Sequence, residues 1–243
     1  CFMLEKVAFP KNSELQIIEK AAFAHTKIKS IAIPSTVTQL GNAAFSSKVL
    51  SIIDIPDNSQ LQKIGGSSFA TLITTLNLPS DVELEDGFCG STPNLININI
   101  IQKKEKKIIY YENKLILSKS SPEIDDYDVL LFANRNLTSV TIPPFIKKIG
   151  IGSFMDSLIE KIEIPPHVNQ IGDHAFSYCT KLKSFDVDKN TELESLSNEM
   201  FFASNFYNKP TTKDVIINAP KKLKFDDDFK FNISFFFFFF FFF

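Results

Sequence analysis

The chain has no tryptophan, three histidines, three cysteines and only eight glycines in 243 residues. Cys1, Cys89 and Cys179 show no CxxC spacing, so neither a disulfide framework nor a zinc ligand set can be read from them. His25, His167 and His174 have no metal-binding partners at usable spacing, and no HExxH, GxSxG, Walker or dinucleotide glycine pattern occurs. Asp125, Asp126 and Asp128, like Asp226 to Asp228, lack the glycine and closing glutamate of a calcium loop. The expectation is a non-enzymatic chain with no catalytic residue, no cofactor and no metal. Charge is also nearly balanced: 26 basic against 28 acidic residues give −2, which argues against a nucleic-acid or anionic-membrane partner. No stretch reaches the roughly 20 apolar residues of a spanning helix, and the nine phenylalanines at 235–243 would cover only about 13 Å as a helix. Membrane attachment is therefore not encoded in this stretch. A chain that starts at Cys1 leaves any signal peptide unread.

What the chain does have is phenylalanine, 26 in all, and a repeat that accounts for many of them. Segments beginning at Leu4, Ile28, Leu50, Ile73, Leu137 and Ile159 (LEKVAFP, IKSIAIP, LSIIDIP, ITTLNLP, LTSVTIP, IEKIEIP) share one frame. Those at Leu95 and Leu182 keep the apolar positions and lose the proline. Successive starts are 24, 22, 23, 22, 42, 22 and 23 residues apart. A second block follows inside each unit, as in VTQLGNAAF ending at Phe45, LQKIGGSSF at Phe69, IKKIGIGSF at Phe154 and VNQIGDHAF at Phe176. Weaker copies end at Phe23, Phe88 and Phe201.

Such spacing implies stacked coils, because one unit cannot bury its own Ile, Leu and Phe. Apolar residues at the fourth and sixth positions of the first block share one face of a short extended segment. Proline then ends strand pairing by removing a backbone donor. The Ile-Gly step of the second block predicts a tight turn with the glycine at positive φ. A small residue before the phenylalanine leaves room for close backbone packing.

The blocks LTSVTIPPFIKKIGIGSF (137–154) and IEKIEIPPHVNQIGDHAFSYCTKLKSF (159–185) resemble the BspA-like leucine-rich repeats found in surface antigens of bacteria and parasitic protists. The resemblance implies an α/β repeat: a gently curved leucine-rich-repeat solenoid, rich in β and low in helix, with one short parallel strand per 22–24-residue coil. It also implies a cell-surface or secreted location and adhesion, or another interaction, with a host, matrix or cell-surface protein. An intracellular leucine-rich-repeat scaffold for a protein partner is the alternative.

The solenoid is expected over residues 1–220, as part of a longer array, followed by a tail at 221–243 whose poly-Phe run at 235–243 reads as a homopolymer tract. The long gap between Leu95 and Leu137 predicts an irregular inserted coil at about 101–136, with a hairpin around Glu112–Asn113 and a third strand at Asp128–Ala133. Either a β-containing coil or a projecting binding loop fits that gap. Partner contacts are expected on the outward face of the strands, at Ser30, Ala32, Asp54, Thr75, Asn77, Asn97, Asn99, Ser139, Thr141, Lys161, Glu163 and Asp186, a small and polar surface without aromatic residues. The sequons at Asn136 and Asn232 matter only for an exported protein.

Overall fold

The computed structural model describes residues 2–205, 216–226 and 233–235. Coils stack along the chain, each contributing short strands: β1 (Ile17–Ile18), β2 (Ser30–Ala32), β3 (Gln39–Leu40), β4 (Ile52–Asp54), β5 (Lys63–Ile64), β6 (Thr75–Pro79), β7 (Glu83–Leu84) and β8 (Asn97–Ile101). The insertion adds β9 (Ile108–Tyr111), β10 (Leu115–Ser118) and β11 (Val129–Ala133). The stack resumes with β12 (Lys148–Ile149), β13 (Lys161–Ile164), β14 (Gln170–Ile171), β15 (Ser184–Val187), β16 (Ser195–Leu196), β17 (Ile216–Ala219), β18 (Lys224–Phe225) and β19 (Ile233–Phe235). Among the described residues up to 204, a 3-10 turn at Asn198–Phe201 is the only helix.

Two parallel ladders result, where one strand per coil was expected. The first is made by the LxxIxIP blocks and runs as β2–β4, β6–β8 and β13–β15–β17–β19. The second is made by the VxxIG blocks and runs as β1–β3–β5–β7, β11–β12–β14 and β16–β18. Parallel pairing thus continues past residue 220, through β18 and the backbone of β19. The rest of the poly-Phe run, from residue 236, lies outside the described residues.

The core follows from the frame. Ile31 and Ile33, Ile53 and Ile55, Leu76 and Leu78, Ile162 and Ile164, and Phe185 and Val187 all point inward and are buried. The repeat phenylalanines form stacks: Phe23 on Phe45 and Phe45 on Phe69 lie within 6° of parallel, and Phe154 on Phe176 within 8°. Each fully buried Phe is worth on the order of 3 kcal/mol in transfer free energy.

The glycine of the Ile-Gly step does not adopt the positive φ that the sequence suggested. Positive φ falls two residues before the phenylalanine, at Ala21, Ala43, Ser67, Gly152 and His174. The glycine has a different reason to be there: a Cβ on Gly172 would lie 2.6 Å from the Ile151 nitrogen, and one on Gly65 would lie 2.7 Å from that of Asn42. At these two steps adjacent coils approach too closely for a side chain.

The insertion forms the expected hairpin. β9 and β10 pair antiparallel through a turn in which Glu112 and Asn113 have φ of 48° and 53°, and β10 pairs antiparallel with β11. It is not a projecting loop, because β10 and β11 are buried on both faces. Ile116, Val129, Leu131 and Phe132 join the core of the N-terminal coils, while Leu115, Leu117, Leu130 and Ala133 join that of the C-terminal coils. The hairpin is a partition wall between two cores.

Arg135 closes that wall from the C-terminal side. Its side chain is 1% exposed, lies 4.4 Å from the Phe132 ring and donates to the carbonyls of Ser153 and Cys89, both at 2.9 Å. Burial presses its pKa below the ordinary arginine value, and Asp156 opposes that shift. The Asp156 carboxyl is in turn pushed up by burial and pulled down by Arg135.

Candidate partner-binding face

The twelve residues expected on the outward face do stand on it. Ser30, Ala32, Asp54, Thr75, Asn97, Asn99, Ser139, Thr141, Lys161 and Glu163 are exposed, and Asn77 and Asp186 are half-buried. The face is not continuous. Its N-terminal part, on β2 to β8, and its C-terminal part, from Ser139 to β17, flank the tip of the inserted hairpin. Tyr110 and Asn113 of that hairpin line a hollow of about 400 Å3 with Thr75, Asn97 and Asn99. Lys114 lines a larger groove of about 920 Å3 on the other side. Neither Tyr110 nor Lys114 could be assigned to the face from the repeat frame, since both belong to the segment that departs from it.

Two side chains of the N-terminal part bond to the protein itself. The Asn99 amide donates to Asn77 Oδ1 at 2.9 Å, and the Asn77 amide donates to the Ile55 carbonyl at 3.2 Å. Tyr110 donates its hydroxyl to Asn134 Oδ1 at 2.8 Å, and burial raises the phenol pKa.

The C-terminal part is charged. Lys161 Nζ meets Glu163 at 2.8 Å and Asp186 at 3.1 Å, and these hydrogen bonds, that to Glu163 foremost, raise its pKa. Asp186 also accepts from the Ser184 hydroxyl at 3.0 Å and from the Asn218 amide. Ser139, Thr141, Lys161, Glu163 and Asp186 all line the groove, together with the apolar Val140, Ile142, Ile164 and Val187.

The groove exists because one strand of the first ladder fails to form. LTSVTIP at 137–143 matches the frame fully, yet no residue of it is in a strand. The ladder begins normally, with Glu160 N–H donating to the Thr138 carbonyl at 2.9 Å, and then splays. Val140 is only half-buried where the equivalent Ile31, Ile53, Leu76 and Ile162 are buried, and Leu137 is half-buried where Ile28, Leu50, Ile73 and Ile159 are buried. Just upstream, the Arg135 carbonyl accepts from Leu158 N–H, the bond that the Leu50 carbonyl takes from Leu72. The coil is anchored two residues early, at Arg135, and Leu137 is left without its usual place.

Groups with chemical potential elsewhere are engaged or buried. Cys89 and Cys179 are free thiols in the core. Burial raises the pKa of Cys89 and pushes that of Cys179 up to about 12, and the Cys179 thiol donates to the Phe154 carbonyl at 3.0 Å. A thiol held protonated in this way is a poor nucleophile. His167 faces Glu192 at 3.3 Å and His174 faces Ser177 at 3.1 Å. Among the described residues no three His, Cys, Asp or Glu side chains converge on a point, and no helix is long and apolar enough to cross a membrane.

The repeat blocks match the family described as BspA type leucine rich repeat region, in six copies over residues 1–116 and 106–219. The chain belongs to this family. Among solved structures this BspA-type chain is similar to a leucine-rich cell surface protein of Faecalibacterium prausnitzii (TM-score 0.67, 18% identity, 89% of this chain and 62% of that one). It is also similar to the pneumococcal vaccine antigen PcpA (0.59, 18%, 95% and 73%) and to a leucine-rich repeat protein of Eubacterium ventriosum (0.57, 18%, 86% and 65%). At such identities the likeness concerns the fold. The chain spans less than two thirds of the Faecalibacterium and Eubacterium proteins. No curated protein matches it in sequence.

Proposed function

We propose that this BspA-type chain is a non-enzymatic, surface-exposed or secreted interaction module, and that it holds a protein partner in adhesion through the C-terminal part of its strand face. One observation carries the reading. The 920 Å3 groove opens among Ser139, Thr141, Lys161, Glu163 and Asp186, five of the residues that repeat periodicity alone turns outward. A groove with an apolar floor and a few charged groups on its rim suits a segment of protein better than a flat hydrated sheet does. The surface location rests on the family and on two proteins of similar structure, a cell surface protein and a vaccine antigen.

Two measurements test this. A membrane-impermeant amine reagent applied to intact cells should label the protein, whereas labelling only after lysis would favour the intracellular scaffold. Adhesion of the purified chain to host cells or matrix should fall at least tenfold in the Thr141→Arg/Glu163→Arg double variant, with the thermal transition retained. Unchanged adhesion would move the site off this groove.

A further inference from the structure

The two walls of the groove are the facing edges of an interrupted parallel sheet, and their hydrogen-bonding groups lack the partners that the rest of the ladder supplies. Ser184 and Asp188 N–H donate to the Glu160 and Ile164 carbonyls, so alternation turns the even-numbered residues of β13 toward β15. Lys161 and Glu163 then present their N–H and C=O groups to the opposite edge, the one facing Val140 and Ile142. Where neighbouring strands of the ladder pair, this bond is made: Ile52 N–H reaches the Lys29 carbonyl at 3.2 Å and Asn97 N–H reaches that of Thr74 at 3.1 Å. Lys161 N–H makes no such bond to Thr138, and no backbone bond is donated by Ser139, Val140, Thr141 or Ile142. Unpaired edges of this kind are templates for another strand.

The space and its lining agree with such an occupant. β13 offers four residues of edge, about 13 Å at ~3.3 Å per residue. Val140, Ile142, Ile164 and Val187 make an apolar floor, while Lys114, Lys161 and Lys189 balance Glu163, Asp186 and Asp188 around it. An extended segment with alternating side chains would put apolar residues on the floor and polar ones in solvent, and the balanced rim favours a segment of low net charge.

We infer that the groove between Ser139–Ile142 and β13 captures an extended segment of a partner protein, about four to six residues of alternating apolar and polar character, as an added strand that completes the first ladder. The inference rests on the proposed partner-binding role of this face and specifies how the partner is held: affinity from main-chain hydrogen bonds, selectivity from alternate side chains.

The test uses a labelled, acetylated and amidated peptide with the sequence of residues 73–78 (ITTLNL), which carries no charge and has the required alternation over its last four residues. Fluorescence anisotropy with the whole chain should show saturable binding, and hydrogen exchange at the Lys161 and Glu163 amides should slow. N-methylation of alternate peptide residues should weaken binding at least tenfold. Val140→Pro, which removes an N–H with no partner in the free protein, should do the same without lowering the thermal transition by more than a few degrees. Equal binding of the methylated peptide, or no exchange protection at Lys161 and Glu163, overturns strand addition. If adhesion is lost in Thr141→Arg/Glu163→Arg and kept in Val140→Pro, the face binds its partner but not by an added strand. If neither variant affects adhesion, both proposals fail. Sedimentation that shows a dimer dispersed by the peptide and by Val140→Pro would make the occupant a second copy of the chain and overturn the assignment to a foreign partner.

Discussion

The first ladder is interrupted between β4 and β6 and again between Val140 and β13, and the two interruptions are unlike. At the first, the strands are not paired by their backbones, yet Ile53 and Leu76 remain buried, and the Asn77 side chain spans the gap by donating to the Ile55 carbonyl at 3.2 Å. At the second, no bond follows the one from Glu160 N–H to the Thr138 carbonyl, Leu137 and Val140 are half-exposed, and a 920 Å3 groove opens. Beneath both, the second ladder is unbroken: β5 pairs with β7, and β12 with β14. At these two interruptions coil stacking therefore depends on the second ladder, joined at the open one by the stack of Phe154 on Phe176. The first ladder is free to open where a side-chain bridge is missing and the coil is anchored out of place.

The largest effect is expected at that anchor. Arg135→Ala removes a fully buried guanidinium and its two short hydrogen bonds, leaving the Ser153 carbonyl with the Ala133 N–H and the Cys89 carbonyl with the Thr92 hydroxyl. Urea unfolding should show a loss of about 3–5 kcal/mol, from two hydrogen bonds made by a charged group at about 1.5–3 kcal/mol each. A loss below about 1 kcal/mol would mean that the junction between the two cores does not depend on Arg135. Then the open interruption would need another cause.

The second ladder can be tested next. Gly172→Ala puts a methyl 2.6 Å from the Ile151 nitrogen, under the open interruption, and must displace backbone. The expected cost is about 1–3 kcal/mol, typical of forced overpacking. Asn77→Ala, which only unties the closed interruption, should cost less, about 1 kcal/mol for one hydrogen bond, and should speed hydrogen exchange in β6. A reversed order of these two would make the first ladder the main support.

Much of this architecture is legible from spacing alone. Coil period, core positions with their phenylalanines, the hairpin at Glu112–Asn113 and the outward rows all follow from local periodicity, because each depends on residues within one coil or on its nearest copy. Three features are not legible, and each has a long-range cause. The Ile-Gly step reads as a turn because glycine most often marks one; its real constraint, the approach of the neighbouring coil, involves residues about 20 positions away. Arg135 looks like a surface residue until it is seen to bond Cys89, 46 positions earlier. LTSVTIP is among the most regular copies of the repeat and still fails to pair, since its placement is set by the Arg135 anchor and not by its own residues.

The smallest effect gives the sharpest test, because it would convert one interruption into the other. Glu163 occupies the frame position of Asn77, and Ile142 that of Ile55. Glu163→Asn should therefore let a side-chain amide reach back to the Ile142 carbonyl, as Asn77 reaches Ile55. The lost ion pair to Lys161 is exposed and worth less than about 1 kcal/mol. The new hydrogen bond is worth a similar amount, with added burial of Leu137 and Val140, so the net gain is about 0.5–1 kcal/mol. Hydrogen exchange should slow at Val140, Ile142 and Lys161, and the ITTLNL peptide should no longer bind. Unchanged exchange would show that a missing bridge is not what separates the two interruptions. The displaced Leu137 alone would then hold the groove open, and only a substitution at the Arg135 anchor could close it.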